Sequence, residues 1–345
     1  MGDLILFDTL TALPDGFLEL TAAQLHTLLP NPSLIHLTGR RQPAILVSIL
    51  LHGNEDVGLQ AIQNILRQYQ FAELPRALTL FCGNVQAARQ GLRRLPDQPD
   101  FNRIWPGSEQ PACPETSMAE AIVASLRERG LFASIDLHNN TGLNPHYGCI
   151  NRLEPEYLHL ARLFSRTVVY FQRPLGVQSM ALAELCPAVT LECGKAGSAE
   201  GVAHATALLD AVLNLSHFPS QAPAACDVDL FHTVGIVKIP DQLSFSFVAD
   251  GSSLCFDPTL DHLNFCELPA GTSLAQAADP KALPVVIGEH GEDLSAHYFE
   301  IVNGELRLRR AVMPSMLTLD VKVIRQDCLC YLMERLEMPA APLRA

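Results

Sequence analysis

An α/β fold is what this sequence predicts: a mostly parallel, mixed sheet with helices on both faces, followed by a smaller β-rich C-terminal domain. Three observations predict it. Apolar runs of strand length alternate with stretches of helical spacing from residue 44 to residue 215. Beyond Pro219 the texture changes to short β-like segments separated by turn signals. The composition, 345 residues with 48% hydrophobic and 18% charged, is that of a globular chain long enough for one large domain with an appendage, or for two domains. The expected division is a first domain over 1–219, with 1–43 as a lead-in, and a β-rich domain over 226–345 after a Ser/Pro/Ala linker at 220–225.

In order, the lead-in offers a short helical pattern at Thr21-Ala22-Ala23-Gln24, stopped by Pro30. The run 44–51 (AILVSILL) reads as a buried strand, and 56–69 has helical spacing through Val57, Leu59, Ile62, Ile65 and Leu66. A second strand is expected at 77–83, then a polar irregular stretch from 86 to 101. Pro114 before the first turn and Gly130 after the last bracket a helix over 115–129. Strands follow at 132–138, 167–171 and 187–192, with helices at 154–164 and 199–215. In the C-terminal part, β segments are expected at 233–239, 243–248, 285–287, 297–302, 305–310 and 317–324, and a closing helix at 327–337. Asn303-Gly304 between two alternating runs predicts a hairpin.

Net charge is −13 and the basic residues are not clustered, which argues against a polyanion-binding surface, leaves room for one local basic pocket, and leaves no nucleic-acid partner expected. The longest apolar runs are of strand length, short of the roughly 20 residues of a membrane span, so no membrane partner is expected either. The N-terminus carries Asp3 and Asp8 and no basic region, unlike a secretory signal, and Leu6 breaks the myristoylation pattern that Met1-Gly2 would begin. Ten cysteines without a framework spacing read as reduced thiols of a cytoplasmic protein. A homo-oligomer stays open.

The chemistry-bearing residues fall where the strands end. The run 44–51 breaks into His52-Gly53-Asn54-Glu55, and His52 and Glu55 at i and i+3 converge on a tight turn. Imidazole plus carboxylate suits a catalytic zinc, with three protein ligands and an open fourth position. The strand 132–138 ends in Asp136-Leu137-His138, which puts Asp136 and His138 on one face. His138 becomes the third ligand if its strand lies beside that of His52, with Asp136 as the acceptor for its other N–H. Glu192, at the end of another strand, reads as the general base that takes a proton from zinc-bound water and returns it to the leaving amine. Asn102 and Arg103 are suited to clamp a substrate carboxylate. Arg93-Arg94 supplies a cation for the scissile carbonyl. Each motif alone has an ordinary structural reading, as a cap, a loop anchor or a solvated charge. Their joint position at the carboxyl ends of separate strands is what such readings do not explain.

His52-Gly53-Asn54-Glu55, Gly83-Asn84, Arg94, Asp100-Phe101-Asn102-Arg103, Asp136-Leu137-His138-Asn139 and Thr190-Leu191-Glu192-Cys193-Gly194-Lys195 follow one another in the order of the succinylglutamate desuccinylase/aspartoacylase family, which the chain resembles over about residues 44–215. That family belongs to the zinc carboxypeptidase superfamily, so the resemblance implies a zinc-carboxypeptidase-like first domain. It implies one zinc per chain on His52, Glu55 and His138, with Glu192 as base and Asn102 and Arg103 on the substrate's carboxylate. Arg94 matches the carbonyl-polarising arginine, with Arg93 competing for the role, and Tyr298 matches a tyrosine brought in from the β domain. The implied activity is hydrolysis of a small-molecule N-acyl-amino acid. Two departures bear on specificity. Leu182 stands where aspartoacylases resemble one another in an arginine that reads the aspartate side chain, and the loop 140–148 after the third ligand is elaborated. A zinc carboxypeptidase for short peptides needs the same residues and is the alternative. A zinc- or metabolite-binding protein without activity is a further one, and an intact Glu192 argues against it.

Overall fold

The computed structural model describes residues 7–338, so Met1, Gly2, Asp3 and Leu6, on which the reading of the N-terminus partly rests, lie outside the described residues. Two strands, β1 (Asp8–Leu10) and β2 (Ser33–Leu37), lie within the lead-in, where the sequence predicts only a helical turn. The alternating part comprises β3 (Ala44–Ile49), α1 (Val57–Gln68), β4 (Leu78–Cys82), α2 (Val85–Gln90), α3 (Pro114–Arg129), β5 (Leu131–Asn140), β6 (Tyr147–Ile150), α4 (Pro155–Phe164), β7 (Thr167–Tyr170), α5 (Gln178–Leu182), β8 (Ala188–Lys195) and α6 (Ala199–Asn214). The C-terminal part adds β9 (Asp229–Lys238), β10 (Phe245–Ser246), β11 (Leu254–Phe256), β12 (Ser273–Ala277), β13 (Val285–Ile287), α7 (Ser295–Tyr298), β14 (Phe299–Val302), β15 (Glu305–Leu308), β16 (Met313–Ser315), α8 (Val321–Gln326) and β17 (Cys330–Arg335).

Among the described residues, twelve strands form one sheet in the order β1-β2-β4-β3-β5-β8-β6-β7-β9-β17-β16, with β13 also on β9. β4, β3, β5 and β8 run parallel at its centre. They are covered on both faces, which is why they read as near-continuous apolar runs. Helix α1 packs on β3 and β5 and against α6, which in turn meets α4. Gly58 makes the approach of α1 possible: a Cβ there would stand 2.8 Å from the Ile49 side chain and 3.0 Å from Leu137. Leu137 therefore faces α1, and its neighbours Asp136 and His138 face the opposite side of the sheet. That side is covered by α5 and the segment around Trp105, whose ring meets Phe81 edge-on with centroids 5.8 Å apart.

The sheet does not stop at the linker. β9 pairs in parallel with β7, and β17 and β13 pair with β9, so residues expected in a separate C-terminal domain extend the first domain's sheet. The rest of that region folds as a second sheet of five strands, β10-β11-β12-β15-β14. Its β14–β15 hairpin turns at Asn303 and Gly304, with φ of 53° and 77°, the left-handed pair that the Asn-Gly dipeptide predicts. The helix expected at 327–337 is instead a turn followed by β17, because this segment is paired on both edges, to β9 and to β16. The β segment expected at 317–324 gives way to α8, whose N-terminus is capped by Asp320 accepting from the Lys322 and Val323 backbone N–H groups.

Candidate active site

The register of the central strands sets out the site. β3 lies beside β5, and β5 pairs with β8 so that His138 is opposite Glu192 and Asp136 opposite Thr190. β6 then runs antiparallel to β8 and sets Tyr147 opposite Glu192 and Cys149 opposite Thr190. Because pleating puts alternate residues on one face, His138, Glu192 and Tyr147 form a row across three strands. His52 reaches it from a bend after β3, where Leu50 holds a φ of 56°, uncommon for a residue with a Cβ. The residue after His52 has to be glycine: a Cβ on Gly53 would stand 2.2 Å from the Ala88 backbone nitrogen. The Glu55 N–H donates to the His52 carbonyl at 3.1 Å, closing the turn that brings the two side chains together.

His52, Glu55 and His138 are all buried, and their ligand atoms lie within 4.8 Å of one another. His52 Nδ1 is 2.9 Å from Glu55 Oε1, and His138 Nδ1 is 2.7 Å from Glu55 Oε2. The other nitrogen of each ring meets an aspartate, His52 Nε2 on Asp100 at 2.9 Å and His138 Nε2 on Asp136 at 2.7 Å. An Nε2–H donated to an aspartate leaves a lone pair on Nδ1. Two such lone pairs, 3.2 Å apart and aimed at one carboxylate, repel unless positive charge lies among them. Without a cation, protons supply it. Burial alone would lower the His138 imidazole, but Asp136 and Glu55 outweigh it and hold the group well above its ordinary value. His52 is raised in the same way, with burial and Arg93 opposed by Glu55 and Asp100. Burial would raise Glu55, yet the two imidazoles hold it below the usual carboxylate range. A divalent cation fits this set, since two imidazoles and a carboxylate converge and each ring is oriented by a carboxylate behind it.

Glu192 is buried in the same cavity, and its Oε2 has no hydrogen-bond partner among the described residues. Burial above all pushes its carboxyl up to about 7, with Glu55 and Asp136 adding and the two imidazoles opposing. Asn139, part of the Asp136–Asn139 motif, ties the site together: its N–H donates to Glu55 Oε2 at 3.2 Å, its Oδ1 accepts from the Val57 N–H, and its Nδ2 donates to the Gly194 carbonyl.

The two adjacent arginines part company. The Arg93 carbonyl accepts from the Gly53 N–H at 3.1 Å, which fixes that residue beside the His52 turn. Its guanidinium lines the cavity, 2.9 Å from Asp100, 3.3 Å from Asp327 and 3.7 Å from Glu55. Arg94, the residue expected there, turns away, donates to the Gln98 carbonyl and faces a separate depression. Tyr298 is likewise absent from the cavity wall. It is buried with Val286 and Phe299 in the core of the C-terminal part, where apolar packing holds it. The tyrosines that line the cavity are Tyr147 and Tyr331, the latter 3.5 Å from Arg103.

Asn102 and Arg103 do line the cavity, but protein groups engage them. Asn102 Oδ1 accepts from the Gln178 N–H at 2.9 Å, and Arg103 Nη2 sits 3.1 and 3.2 Å from the two oxygens of Asp327. Sequence reasoning missed Asp100, Asp327, Tyr331 and Arg173. Asp100 alone carried a signal, as the acid beside Asn102. Leu182 is fully buried in the main core, so no cation enters from that position. Arg173 lines the cavity from another direction, bound to Glu109 at 3.1 Å and to the Glu289 carbonyl. One stretch of the wall is apolar, with Val169, Phe171, Val177 and Met316, while Asn140, Thr141, Thr190, Thr233 and Ser315 add polar groups. No helix among the described residues is long and apolar enough to cross a membrane.

A family model described as the succinylglutamate desuccinylase/aspartoacylase catalytic domain matches residues 41–216, just over half of the chain. Solved structures share the fold. The succinylglutamate desuccinylase from Chromobacterium violaceum is 19% identical, with a TM-score of 0.57 over 88% of this chain and 87% of that one. Murine aminoacylase 3 is 17% identical, with a TM-score of 0.54 over 88% of this chain and 100% of that one. The product-bound ectoine utilization protein EutE (DoeB) from Ruegeria pomeroyi is 17% identical, with a TM-score of 0.54 over 88% of each chain. No curated protein matches the sequence.

Proposed function

The chain belongs to the succinylglutamate desuccinylase/aspartoacylase family of hydrolases, and from that premise we propose that it is a zinc-dependent deacylase cleaving the amide bond of an N-acyl-amino acid. The observation that carries this reading is the row of His138 and Glu192 on adjacent strands, with His52 and Glu55 closing on His138 and the free Oε2 of Glu192 beside them. His52, Glu55 and His138 would hold one zinc ion. When bound, zinc supplies Lewis acidity to a water molecule and to the amide carbonyl.

The protein's own groups do the rest. Glu192, with its carboxyl near 7, accepts a proton from the attacking water and passes it to the amine nitrogen as the C–N bond breaks. Arg93, the cation beside Glu55, takes the carbonyl-polarising role in place of Arg94. Asp100 and Asp136 hold the two imidazoles in orientation. Asn102 and Arg103 face the amino acid's carboxyl end, and the wall of Val169, Phe171, Val177 and Met316 suits an apolar portion of the substrate. Thr233, Met316 and Tyr331 close the cavity from the C-terminal part, which favours a small substrate over a long peptide.

The test is a mass-spectrometric hydrolysis screen of zinc-loaded protein on N-acetyl-, N-succinyl- and N-formyl-amino acids and short peptides, with Glu192→Ala as control and metal content measured for both. Cleavage of one acyl class, lost in the control at unchanged zinc content, is the expected result. Cleavage of peptides alone would move the protein to the carboxypeptidases. Silence across the panel at full zinc loading would leave a binding protein.

A further inference from the structure

Asp327 stands in the carboxylate clamp as part of the protein itself. Both of its oxygens contact Arg103 Nη2, at 3.1 and 3.2 Å, and Oδ2 also lies 3.3 Å from Arg93 Nη2. Arg93 also gives Nε and Nη2 to Asp100, and Arg103 gives Nη1 to the Asn102 carbonyl at 2.8 Å. Two guanidiniums therefore face two carboxylates, and the pair carries no net charge with which to attract a third.

Nor is Asp327 a loosely held lid. Its N–H donates to the Val323 carbonyl at 2.9 Å, ending α8, and the Leu329 N–H donates to Val237 of β9 at 2.7 Å. Cys328 and Leu329, the next two residues, are buried. A carboxylate delivered from backbone pinned on both sides is preorganised, and displacing it costs the hydrogen bonds it makes to two half-buried arginines.

We propose that Asp327 is a specificity-determining residue, a resident carboxylate that competes with the substrate's own and turns the cleft toward N-acyl-amino acids whose carboxyl group is capped as an amide. This rests on reading the cleft as an acyl-amino-acid site, and it adds which charge that site accepts at its arginine end. A free carboxylate must share the two guanidiniums with Asp327 at like-charge distance. An amide meets no such repulsion, and its N–H donates to an Asp327 oxygen.

Binding separates this from the question of turnover. Calorimetry on zinc-loaded Glu192→Gln protein, with Asp327 intact or changed to Asn, would use N-acetylleucine and N-acetylleucinamide, a pair differing only in the charge at stake. With Asp327 intact, the amide should bind at least as tightly as the acid. Asp327→Asn should tighten the acid at least tenfold and move the amide by less than twofold. An acid that gains nothing from Asp327→Asn, or weakens, overturns the proposal, and so does absence of binding by either ligand. Asp327→Ser is the second variant, and the intact protein is decisive without either: an acid bound tenfold more tightly than the amide overturns the proposal outright. A null hydrolysis screen beside a tightened acid would refute the deacylase reading and keep this one.

Discussion

The floor and the far wall of the cavity are built by different means. The floor is made by neighbouring strand ends: His138, Glu192 and Tyr147 stand in one register row, and His52 and Glu55 arrive on the turn that follows the next strand's apolar run. The far wall comes from much later in the chain, where the turn after α8 sets Asp327, and the start of β17 sets Tyr331, against the arginines. Floor residues are locked by sheet pairing that also holds the main core together. Wall residues are set by one turn on a strand that enters the sheet last in sequence. A fixed floor suits the part of the reaction common to many substrates, and a separately encoded wall suits the part that selects among them.

The largest effect expected from breaking this division is at Glu192. Glu192→Ala should lower kcat by about 10²- to 10⁴-fold with zinc content and KM little changed, the range of a lost general base. If kcat/KM fell only through KM, Glu192 would belong with the selecting wall. Next come the two aspartates behind the imidazoles. Asp100→Asn and Asp136→Asn should each weaken zinc affinity by about 10- to 100-fold in a competitive chelator titration. An unchanged titration would mean that Asp100 serves only the arginines.

The pH dependence sharpens the floor further. The base must be ionised, so kcat/KM should fall tenfold per unit on its acid limb. The carboxyl of Glu192 loses its proton at about 7 in the metal-free site, and a bound divalent cation moves that limb to lower pH. The same raised value has a sign for stability. The folded protein holds the Glu192 proton more tightly than the unfolded chain, so this contribution is full below the unfolded carboxyl value near 4.5 and is lost as pH rises through about 7. Chelated Glu192→Gln protein should therefore melt higher than chelated wild type at pH 8, and the two should converge at pH 4. The smallest effects are expected where a sequence candidate fell outside the cavity. Arg94→Ala and Tyr298→Phe should each change kcat/KM by less than twofold, whereas Arg93→Ala should act on kcat. A large loss at Arg94 would return the polarising role to it.

The floor was legible because it is local. The apolar run 44–51 broke at His52, and the alternation through Asp136 and His138 declared a shared face. Only the adjacency of β3, β5 and β8 had to be added by the fold. Arg93 and Arg94 could not be told apart by order along the chain, because what separates them is a backbone hydrogen bond from Gly53. Asp327 was illegible for a different reason. The segment 327–337 has apolar residues at spacings that suit a helix as well as a strand, and pairing with β9 and β16 decides between them. Tyr298 was placed by its position in the chain, and the apolar company of Val286 and Phe299 took it elsewhere.

The continuity of the large sheet across the linker has a practical consequence. A chain cut after Pro219 would keep every residue of the floor, yet it would lose β9 and leave the β7 segment Thr167–Tyr170 as a bare edge. That edge is short, rich in β-branched residues and free of charge, so it offers its unmatched amide and carbonyl groups to any passing strand. The truncated half is thus more prone to self-association than the whole, and the C-terminal part acts, besides walling the cleft, as the molecule's own guard against aggregation.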